Sequence, residues 1–310
     1  MIISTPDPYP IVTVDPGWVL DPEGMGSKTK FWYKNPGEEQ QWLFKYAQPN
    51  TGQHWAEKIA ERVAHYLWIP HAKVELAQFE GHHGSVTESF ARDGRELYHG
   101  NQLLEQLVQD YDPEKRFNQS DHTVKNIFSA MDEIFLSPEA AEVAKICLSG
   151  YLVLDALIGN TDRHHENWGI LRWRTDDDWK GCVAPSFDHA SSLGRELLDE
   201  RRDRILAEGR VGVYSEKGRG AVYWLGDESH GPSPLALVRQ AVEHQPNTFW
   251  STLGNLPLLS EDIVTSLVDR VPPDMMTPSA RGFTIALIRY NLEQLRKLAE
   301  ENENPIFRLA

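Results

Sequence analysis

Three polar residues near the middle of the chain, two acids and one amide, are the first candidates for a catalytic role. Asp162 and Asn167 are separated by four residues in a polar segment between two apolar runs, and a second acid, Asp188, follows after a short polar break. A carboxylate can accept the proton of an attacking hydroxyl, and carboxylate and amide oxygens are hard ligands that suit Mg²⁺ bound to phosphates. The Asp–Asn spacing is also that of protein-kinase catalytic loops. The sequence therefore predicts a site that holds ATP, magnesium and these acids together.

The elements upstream have groups that could hold the phosphates of ATP. A turn containing Gly24 and Gly26 precedes two aromatic, β-like runs, and the second run, Gln41–Tyr46, includes Lys45. This order would let backbone N–H groups of the turn cover the phosphates while Lys45 reaches them. The glycines alone match neither a Walker A motif nor a complete G-x-G-x-x-G, and they are also ordinary turn residues.

A helix is predicted from residue 53 to residue 67 by the spacing of its apolar residues. Glu57 lies in its first turns, where packing on the strand would let it form an ion pair that orients Lys45. Glu61 is an equal competitor for this role, and either acid could instead be a solvated helix-face charge.

A β-hairpin is predicted next. Strand-like residues 72–79 and 85–91 flank a Gly-His-His-Gly turn at residues 81–84. Glu88 and Phe90 lie where the chain would leave a small sheet lobe, and this position alone makes them candidates for contact with an adenine.

Helical periodicity dominates the chain after about residue 100. Helices are predicted over residues 101–109, 124–135, 138–158, 233–243, 248–256, 261–271 and 280–302, strands over 168–173 and 181–187, and a charged loop over 193–220. Asp162 and Asp188 flank the hairpin formed by those two strands. Because a hairpin returns the chain to the end where it began, the two acids are expected to lie close together.

Composition indicates a folded protein and excludes several classes. Of the 310 residues, 40% are hydrophobic and 25% are charged, which is ordinary for a globular protein. The net charge of −15 argues against nucleic acid or an anionic membrane as the main partner. No apolar run is long enough for a membrane span, no signal peptide is evident, and there are two cysteines. We expect a cytoplasmic protein, although delivery by a signal-independent route stays open.

Two other chemistries fit the sequence poorly. His164 and His165 invite a zinc interpretation, but adjacent side chains point in different directions and no H-E-x-x-H motif or cysteine pair accompanies them. We expect His164 to brace the loop by hydrogen bonds instead. Serines near these histidines lack the G-x-S-x-G elbow of a hydrolase triad.

The segment from Asn160 to Gly169, with the Phe-Asp-His-Ala sequence around Asp188, resembles the HipA-type Ser/Thr kinase family. The likeness extends from Gly24 to the end of the chain. It implies an α+β, two-lobe protein-kinase-like fold, with a small β-rich N-lobe at residues 1–95 and a larger helical C-lobe at residues 96–310.

The resemblance also implies a role for each candidate residue. Asp162 would be the catalytic base, Asn167 and Asp188 the magnesium ligands, Lys45 the phosphate-binding lysine and Glu57 its partner. Family members can autophosphorylate a serine of the phosphate loop, and Ser27 is the candidate here. The implied reaction transfers phosphate from ATP to a Ser or Thr hydroxyl of a protein substrate.

The chain departs from the family pattern in two respects. The metal-binding acid lies in Phe-Asp-His rather than Asp-Phe-Gly, and the extra N-terminal subdomain of the longer toxin members has no counterpart, so the chain resembles the short, stand-alone members. An antitoxin partner is therefore not inferred. Two alternatives stay open: a phosphoinositide-kinase-like lipid kinase, whose catalytic loop is similar, and a catalytically inactive, nucleotide-binding regulator.

Overall fold

A five-stranded sheet forms the N-terminal part of the protein. The computed structural model describes residues 7–20, 29–176, 178–226 and 228–302. The strands are β1 (Ile11–Thr13), β2 (Lys30–Lys34), β3 (Gln41–Tyr46), β4 (Val74–Phe79) and β5 (His82–Glu88), in the order β1-β4-β5-β3-β2. Only the β1–β4 pair is parallel. Helix α1 (Gln53–Tyr66) connects β3 to β4 and packs against β4 and β5.

Aromatic side chains hold the central strands of this sheet together. Phe31, Phe44 and Phe79 form a buried cluster, with ring centroids 4.9 Å apart for Phe31–Phe44 and 4.7 Å apart for Phe31–Phe79. The strand β3 has the predicted bounds, and its pairing places Lys45 opposite Lys30 on one side and Ser85 on the other. The cluster therefore fixes the strand from which Lys45 extends.

The hairpin between β4 and β5 turns earlier than predicted. Glu80 and Gly81 have φ angles of 47° and 80°, which are typical of a two-residue type I′ turn. His82 and His83 consequently pair with Phe79 and Gln78 as part of β5. The prediction that residues 81–84 form the turn was wrong, because two residues with positive φ reverse the chain without needing the histidines.

A second, three-stranded antiparallel sheet lies beside the helical part. It contains β6 (Glu96–His99), β7 (Gly169–Arg174) and β8 (Trp179–Val183) in that order. The predicted hairpin is present as β7 and β8, but β8 ends before Pro185, which has no N–H to continue the ladder. Strand β6 was not predicted, because its four residues are too few to show alternation.

Nine further helices follow within the described ranges. They are α2 (Gly100–Leu107), α3 (Val124–Ile134), α4 (Pro138–Ile158), α5 (Asp199–Ala207), α6 (Val211–Lys217), α7 (Pro234–His244), α8 (Pro246–Leu253), α9 (Glu261–Asp269) and α10 (Pro278–Glu301). The predicted loop at residues 193–220 was wrong, since it contains α5 and α6. This segment has many charged residues and few buried ones, which include Arg202 and Ile205. Its apolar residues therefore show no clear helical periodicity.

Helix α4 has the predicted bounds and is the central helix of this part. Ser137 caps its N-terminus by accepting from the Ala140 N–H at 3.3 Å, and Pro138 occupies the first turn. From Leu148 to Ile158 every residue is buried. The first half is more open, and Val143 is 66% exposed although the apolar spacing of the helix predicts it on the buried side.

One hydrophobic core joins α1 to the helices that follow. It includes Trp55, Ile59 and Val63 of α1 together with residues of α4, α7, α9 and α10. Tyr9 adds a tether, because its hydroxyl donates to the Leu267 carbonyl at 3.0 Å. Among the helices of the described ranges, none combines the length and apolarity needed to cross a membrane.

Candidate active site

The loop after α4 begins with a left-handed glycine. Gly159 has φ 64° and ψ 36°, and its N–H donates to the Asp155 carbonyl, which also accepts from the Asn160 N–H at 2.9 Å. The Asn160 side chain donates to the Asp155 carboxylate at 2.8 Å and accepts from the Asp162 N–H at 3.1 Å. These bonds end the helix and set the position of Asp162.

Arg163 connects the loop to α4 and to the segment before Asp188. Its buried guanidinium donates two bonds to Asp155, at 2.7 Å and 2.8 Å. It also donates to the Asn167 carbonyl at 2.8 Å, the Phe187 carbonyl at 3.3 Å and the Ser186 hydroxyl at 3.1 Å. Burial disfavours its charge, but Asp155 outweighs that effect and raises the pKa of Arg163. The side chain thus brings together the two segments that were predicted to meet.

Asn167 and Asp162 form a closed turn whose polar atoms face the site. The Asn167 amide nitrogen donates to the Asp162 carbonyl at 2.8 Å, which leaves the amide oxygen available to a ligand. The Asp162 carboxylate accepts from the Ser191 hydroxyl at 3.0 Å, and Ser191 in turn accepts from Arg195 at 3.1 Å. Ser191 therefore positions the candidate base.

Lys45 forms its ion pair with Asp188, at 2.9 Å from Nζ to Oδ1. Burial disfavours both charges, but the attraction and the hydrogen bond within the pair, together with neighbouring charges, outweigh burial. The pKa of Lys45 is therefore raised and the pKa of Asp188 is lowered. Asp188 has φ 59°, a left-handed conformation that is uncommon for a residue other than glycine. Strain of this kind concentrates at functional sites.

Glu57 supports the loop after Asp188 instead of forming the expected ion pair with Lys45. Its carboxylate accepts from the His189 N–H at 2.9 Å. Burial raises the pKa of Glu57, but the nearby Lys45 charge and the contacts with His189 together outweigh burial, so the pKa of Glu57 is lowered. The competing acid Glu61 pairs with Lys58, at 3.1 Å.

The histidines near the loop have structural partners. Tyr111 and His165 share a hydrogen bond of 2.8 Å between the hydroxyl and Nδ1. His164 accepts from the Glu166 N–H at 3.2 Å, as expected for a residue that braces the loop. His122 accepts from the Trp168 indole at 2.9 Å, and its other ring nitrogen lies 2.8 Å from the Ala221 carbonyl.

The remaining candidate residues lie at the edge of the site or outside the described ranges. Glu88 is in ion-pair distance of Lys73, at 3.6 Å, and Arg92, at 3.2 Å. The Phe90 ring packs on Phe187, with centroids 5.4 Å apart, so Phe90 lies near the Asp188 segment. Gly24, Gly26 and Ser27 lie outside the described residues.

Four contributors were missed by sequence reasoning: Asp155, Arg163, His189 and Ser191. The only local signal for Asp155 is that it is an acid in the apolar C-terminal half of α4. The sequence therefore indicates that Asp155 needs a cationic partner, but it does not identify that partner.

A cleft of about 1130 Å³ opens beside Asp162. Its wall includes Asp162 and Ser191, the helices α5 and α6, and the loop that follows α6. It is large enough for several residues of an extended peptide.

Comparison with known proteins identifies the family. Residues 21–221 match the family model of the HipA-like C-terminal domain. A Helicobacter pylori (strain J99) protein named serine/threonine-protein kinase CtkA is 32% identical over 88 residues, which are 28% of this chain and 26% of that protein. The aligned segment thus spans about a quarter of the curated relative's length.

Two solved structures share the fold. The crystal structure of the H. pylori proinflammatory kinase CtkA has a TM-score of 0.73 at 17% identity, with 94% of this chain and 99% of that chain covered. HipA, in a Shewanella oneidensis MR-1 complex with HipB and operator DNA, has a TM-score of 0.56 at 14% identity, covering 89% of this chain and 64% of that chain. These likenesses confirm the predicted α+β, two-lobe kinase-like fold, and the match over residues 21–221 shows that the chain belongs to the HipA-like C-terminal domain family.

Proposed function

We propose that this protein is an ATP- and Mg²⁺-dependent kinase that transfers the γ-phosphate to a Ser or Thr hydroxyl of a protein. The ion pair between Lys45 and Asp188, beside a loop that presents Asp162 and Asn167, carries the proposal. It joins a phosphate-binding cation and oxygen ligands from two parts of the fold, which is what phosphoryl transfer requires. The relative named as a Ser/Thr kinase supports the same chemistry at the level of the family.

The donors at the site suit magnesium. The Asn167 amide oxygen and the Asp188 carboxylate would hold the ion, and both are hard oxygen ligands. When bound, Mg²⁺ neutralises charge on the ATP phosphates. Lys45 has a raised pKa and stays protonated, so it would neutralise the remaining negative charge on the phosphates.

Asp162 is proposed to accept the proton of the acceptor hydroxyl. The oxygen of that hydroxyl forms a bond to the γ-phosphorus while the bond to the bridging oxygen of ADP breaks. Ser191 donates to Asp162 Oδ2, so it fixes the carboxylate and leaves Oδ1 for the acceptor. Arg163 holds both loops in place but contacts neither reactant in this scheme.

Transfer of labelled γ-phosphate from ATP tests the proposal. We would measure label on the protein itself and on dephosphorylated casein for wild type, Asp162→Asn and Asp188→Asn. Loss of the base is expected to lower the rate by about 100-fold or more. Glu243→Gln removes an exposed carboxylate elsewhere and should transfer at the wild-type rate.

The outcomes separate this proposal from its two alternatives. Binding of ATP without transfer to any acceptor would contradict the kinase proposal and favour a nucleotide-binding regulator. Preferential labelling of phosphoinositide vesicles would contradict the protein acceptor. Undiminished transfer by Asp162→Asn would refute the role of Asp162.

We further propose that the protein labels itself at Ser27. Phosphopeptide mapping after incubation with ATP should place the label there, and Ser27→Ala should remove it. Label on another residue, retained in Ser27→Ala, would contradict this assignment.

A further inference from the structure

The cleft beside Asp162 has a charge opposite to that of the whole molecule. Its wall contains six cationic side chains, Arg195, Arg201, Arg204, Arg210, Lys217 and Arg219, and three carboxylates, Asp162, Glu196 and Glu208. The complete chain has a net charge of −15. Cations gathered in one concave surface of an acidic protein produce a local field that attracts negatively charged groups.

The helix α5 turns two of these cations toward the cleft. Arg201 and Arg204 are three positions apart and therefore lie on one face of the helix. Arg202, between them, is buried on the opposite side, where it donates to the Gly194 carbonyl at 3.0 Å. Because the buried Arg202 fixes the orientation of α5, the fold keeps Arg201 and Arg204 exposed.

Most of these cations are not neutralised by the protein. Within the ranges that the structure describes, Arg201, Arg204, Lys217 and Arg219 form no ion pair. The carboxylates of the wall already have partners, since Glu208 pairs with Arg210 at 3.0 Å and Glu196 accepts from Tyr214 at 2.8 Å. The cleft therefore has positive charge that the carboxylates of the described ranges do not neutralise.

The cleft lies on the acceptor side of the site. Asp162, the proposed base, belongs to its wall, whereas the pair Lys45–Asp188 does not. The phosphates would bind at Lys45, which does not line the cleft. A group that enters the cleft therefore lies beside the proposed base, where an acceptor hydroxyl is needed.

We propose that this cleft binds an acidic peptide segment and that the kinase selects Ser or Thr acceptors flanked by Asp or Glu. This inference rests on the proposed function, of which it specifies the substrate class. A peptide is favoured over nucleic acid because the cleft gathers only six cations, while the net charge of the chain would repel a long polyanion.

Paired binding and transfer measurements test the inference. One short, fluorescein-labelled peptide has a single serine between glutamates, and its matched partner has glutamines instead. We expect the acidic peptide to bind at least about tenfold more tightly by fluorescence anisotropy, and to be phosphorylated with a similarly higher kcat/KM. The preference should fall as salt is raised from about 0.05 M to about 0.5 M, because exposed charges are screened.

Substitutions of the cations locate the effect. In Arg201→Gln/Arg204→Gln the ratio between the two peptides should approach one, and Arg201→Glu/Arg204→Glu should bind a lysine-flanked peptide more tightly than the acidic one. The matched control Arg174→Gln/Lys180→Gln removes two exposed charges from the β7–β8 hairpin, which does not line the cleft, and should keep the wild-type ratio.

The two assays distinguish failure of this inference from failure of the proposed function. Preferential binding of the acidic peptide that depends on Arg201 and Arg204, without any transfer, would support the cleft and contradict the kinase. Transfer to both peptides with equal binding and equal kcat/KM would overturn the inference and leave the kinase intact. Tighter binding of a short single-stranded oligonucleotide than of the acidic peptide would also overturn it.

Discussion

Arg163 is the side chain on which the geometry of the candidate site most depends. It is buried, and its five hydrogen bonds connect the end of α4, the loop that follows α4 and the segment before Asp188. A guanidinium can do this because its donors lie in one plane and reach several acceptors at fixed angles. Lysine at this position would keep the charge but not the arrangement.

Removal of Arg163 should destabilise the protein far more than removal of an exposed charge. Arg163→Met leaves the Asp155 carboxylate buried without its cation, and we expect the free energy of unfolding to fall by about 3–5 kcal/mol. Adding Asp155→Leu should recover part of the loss. Urea denaturation of both single variants and the double variant measures this coupling.

A surface ion pair provides the comparison. Lys297 and Glu293 are one helical turn apart and exposed, and Lys297→Met should leave the free energy of unfolding nearly unchanged. Equal losses for Arg163→Met and Lys297→Met would contradict the structural role assigned to Arg163.

His122 should make stability depend on pH. Burial lowers the pKa of His122 to about 3, while an unfolded histidine titrates near pH 6.5. Between these values the unfolded chain binds more protons at this site, so its contribution to stability is complete above about pH 6.5 and is lost as the pH falls toward about 3. Each pH unit within that window is worth about 1.4 kcal/mol.

The variant His122→Gln isolates this contribution. Wild type should lose stability on acidification more steeply than the variant, by up to about 1.4 kcal/mol per pH unit in urea denaturation between about pH 6 and about pH 4. His230→Gln, at an exposed position, should keep the wild-type slope. A wild-type slope in His122→Gln as well would show that His122 is not held neutral.

At the scale of elements, α4 delivers the chain directly into the candidate site. Its last turn supplies Asp155, and Gly159 lets the chain leave the helix by adopting φ 64°. A Cβ at this position would meet the nearest atom, of Leu287, at 3.5 Å, which is an ordinary contact. The requirement for glycine is therefore conformational and not one of space.

The substitution Gly159→Ala should lower both stability and phosphate transfer. We expect a loss of about 1–2 kcal/mol, because a left-handed conformation is strained for alanine, and a lower transfer rate, because Asp162 follows three residues later. Gly81→Ala is the matched control, since Gly81 also has positive φ and open space around it but lies in the β4–β5 turn.

Denaturation and transfer assays on both variants separate strain from position. The two substitutions should cost similar free energies of unfolding, but only Gly159→Ala should slow transfer. Equal transfer by the two variants would show that the end of α4 does not set the position of the base.

At the scale of the whole molecule, the sheet-rich and helix-rich parts share a hydrophobic core. Helix α1 lies between β3 and β4 in the sequence, yet its buried residues pack in the same hydrophobic cluster as residues of α4 and α9. The predicted lobe boundary near residue 95 therefore lies between β5 and β6, but the core that contains α1, α4 and α9 extends across it. We expect the protein to unfold as one unit.

Coincident transitions would verify this cooperativity. Far-UV circular dichroism and tryptophan fluorescence should give one midpoint in urea, and Ile59→Ala should lower both by the same amount, corresponding to about 2–5 kcal/mol. Leu136→Ala, at a side chain that is 97% exposed, should change neither appreciably. Two separate midpoints would contradict a shared core.

Features that depend on neighbouring residues could be predicted from the sequence. The bounds of β3 and α4 follow from local apolar patterns and caps, and the spacing of Asp162 and Asn167 indicates the chemistry within one loop. The prediction failed where local patterns were short or hidden by charge, as in β6, α5 and α6. A four-residue strand and an arginine-rich helix show too few buried positions to reveal a period.

The pairing of side chains that are distant in sequence depends on the tertiary structure. It paired Lys45 with Asp188, placed Glu57 against the His189 N–H across 132 positions and joined Asp155 to Arg163. It also gathered six cations of an acidic chain in one cleft beside Asp162. A sequence pattern records which groups are available, but the pairing of buried charges depends on the packing that excludes water around them, and that packing involves the whole fold.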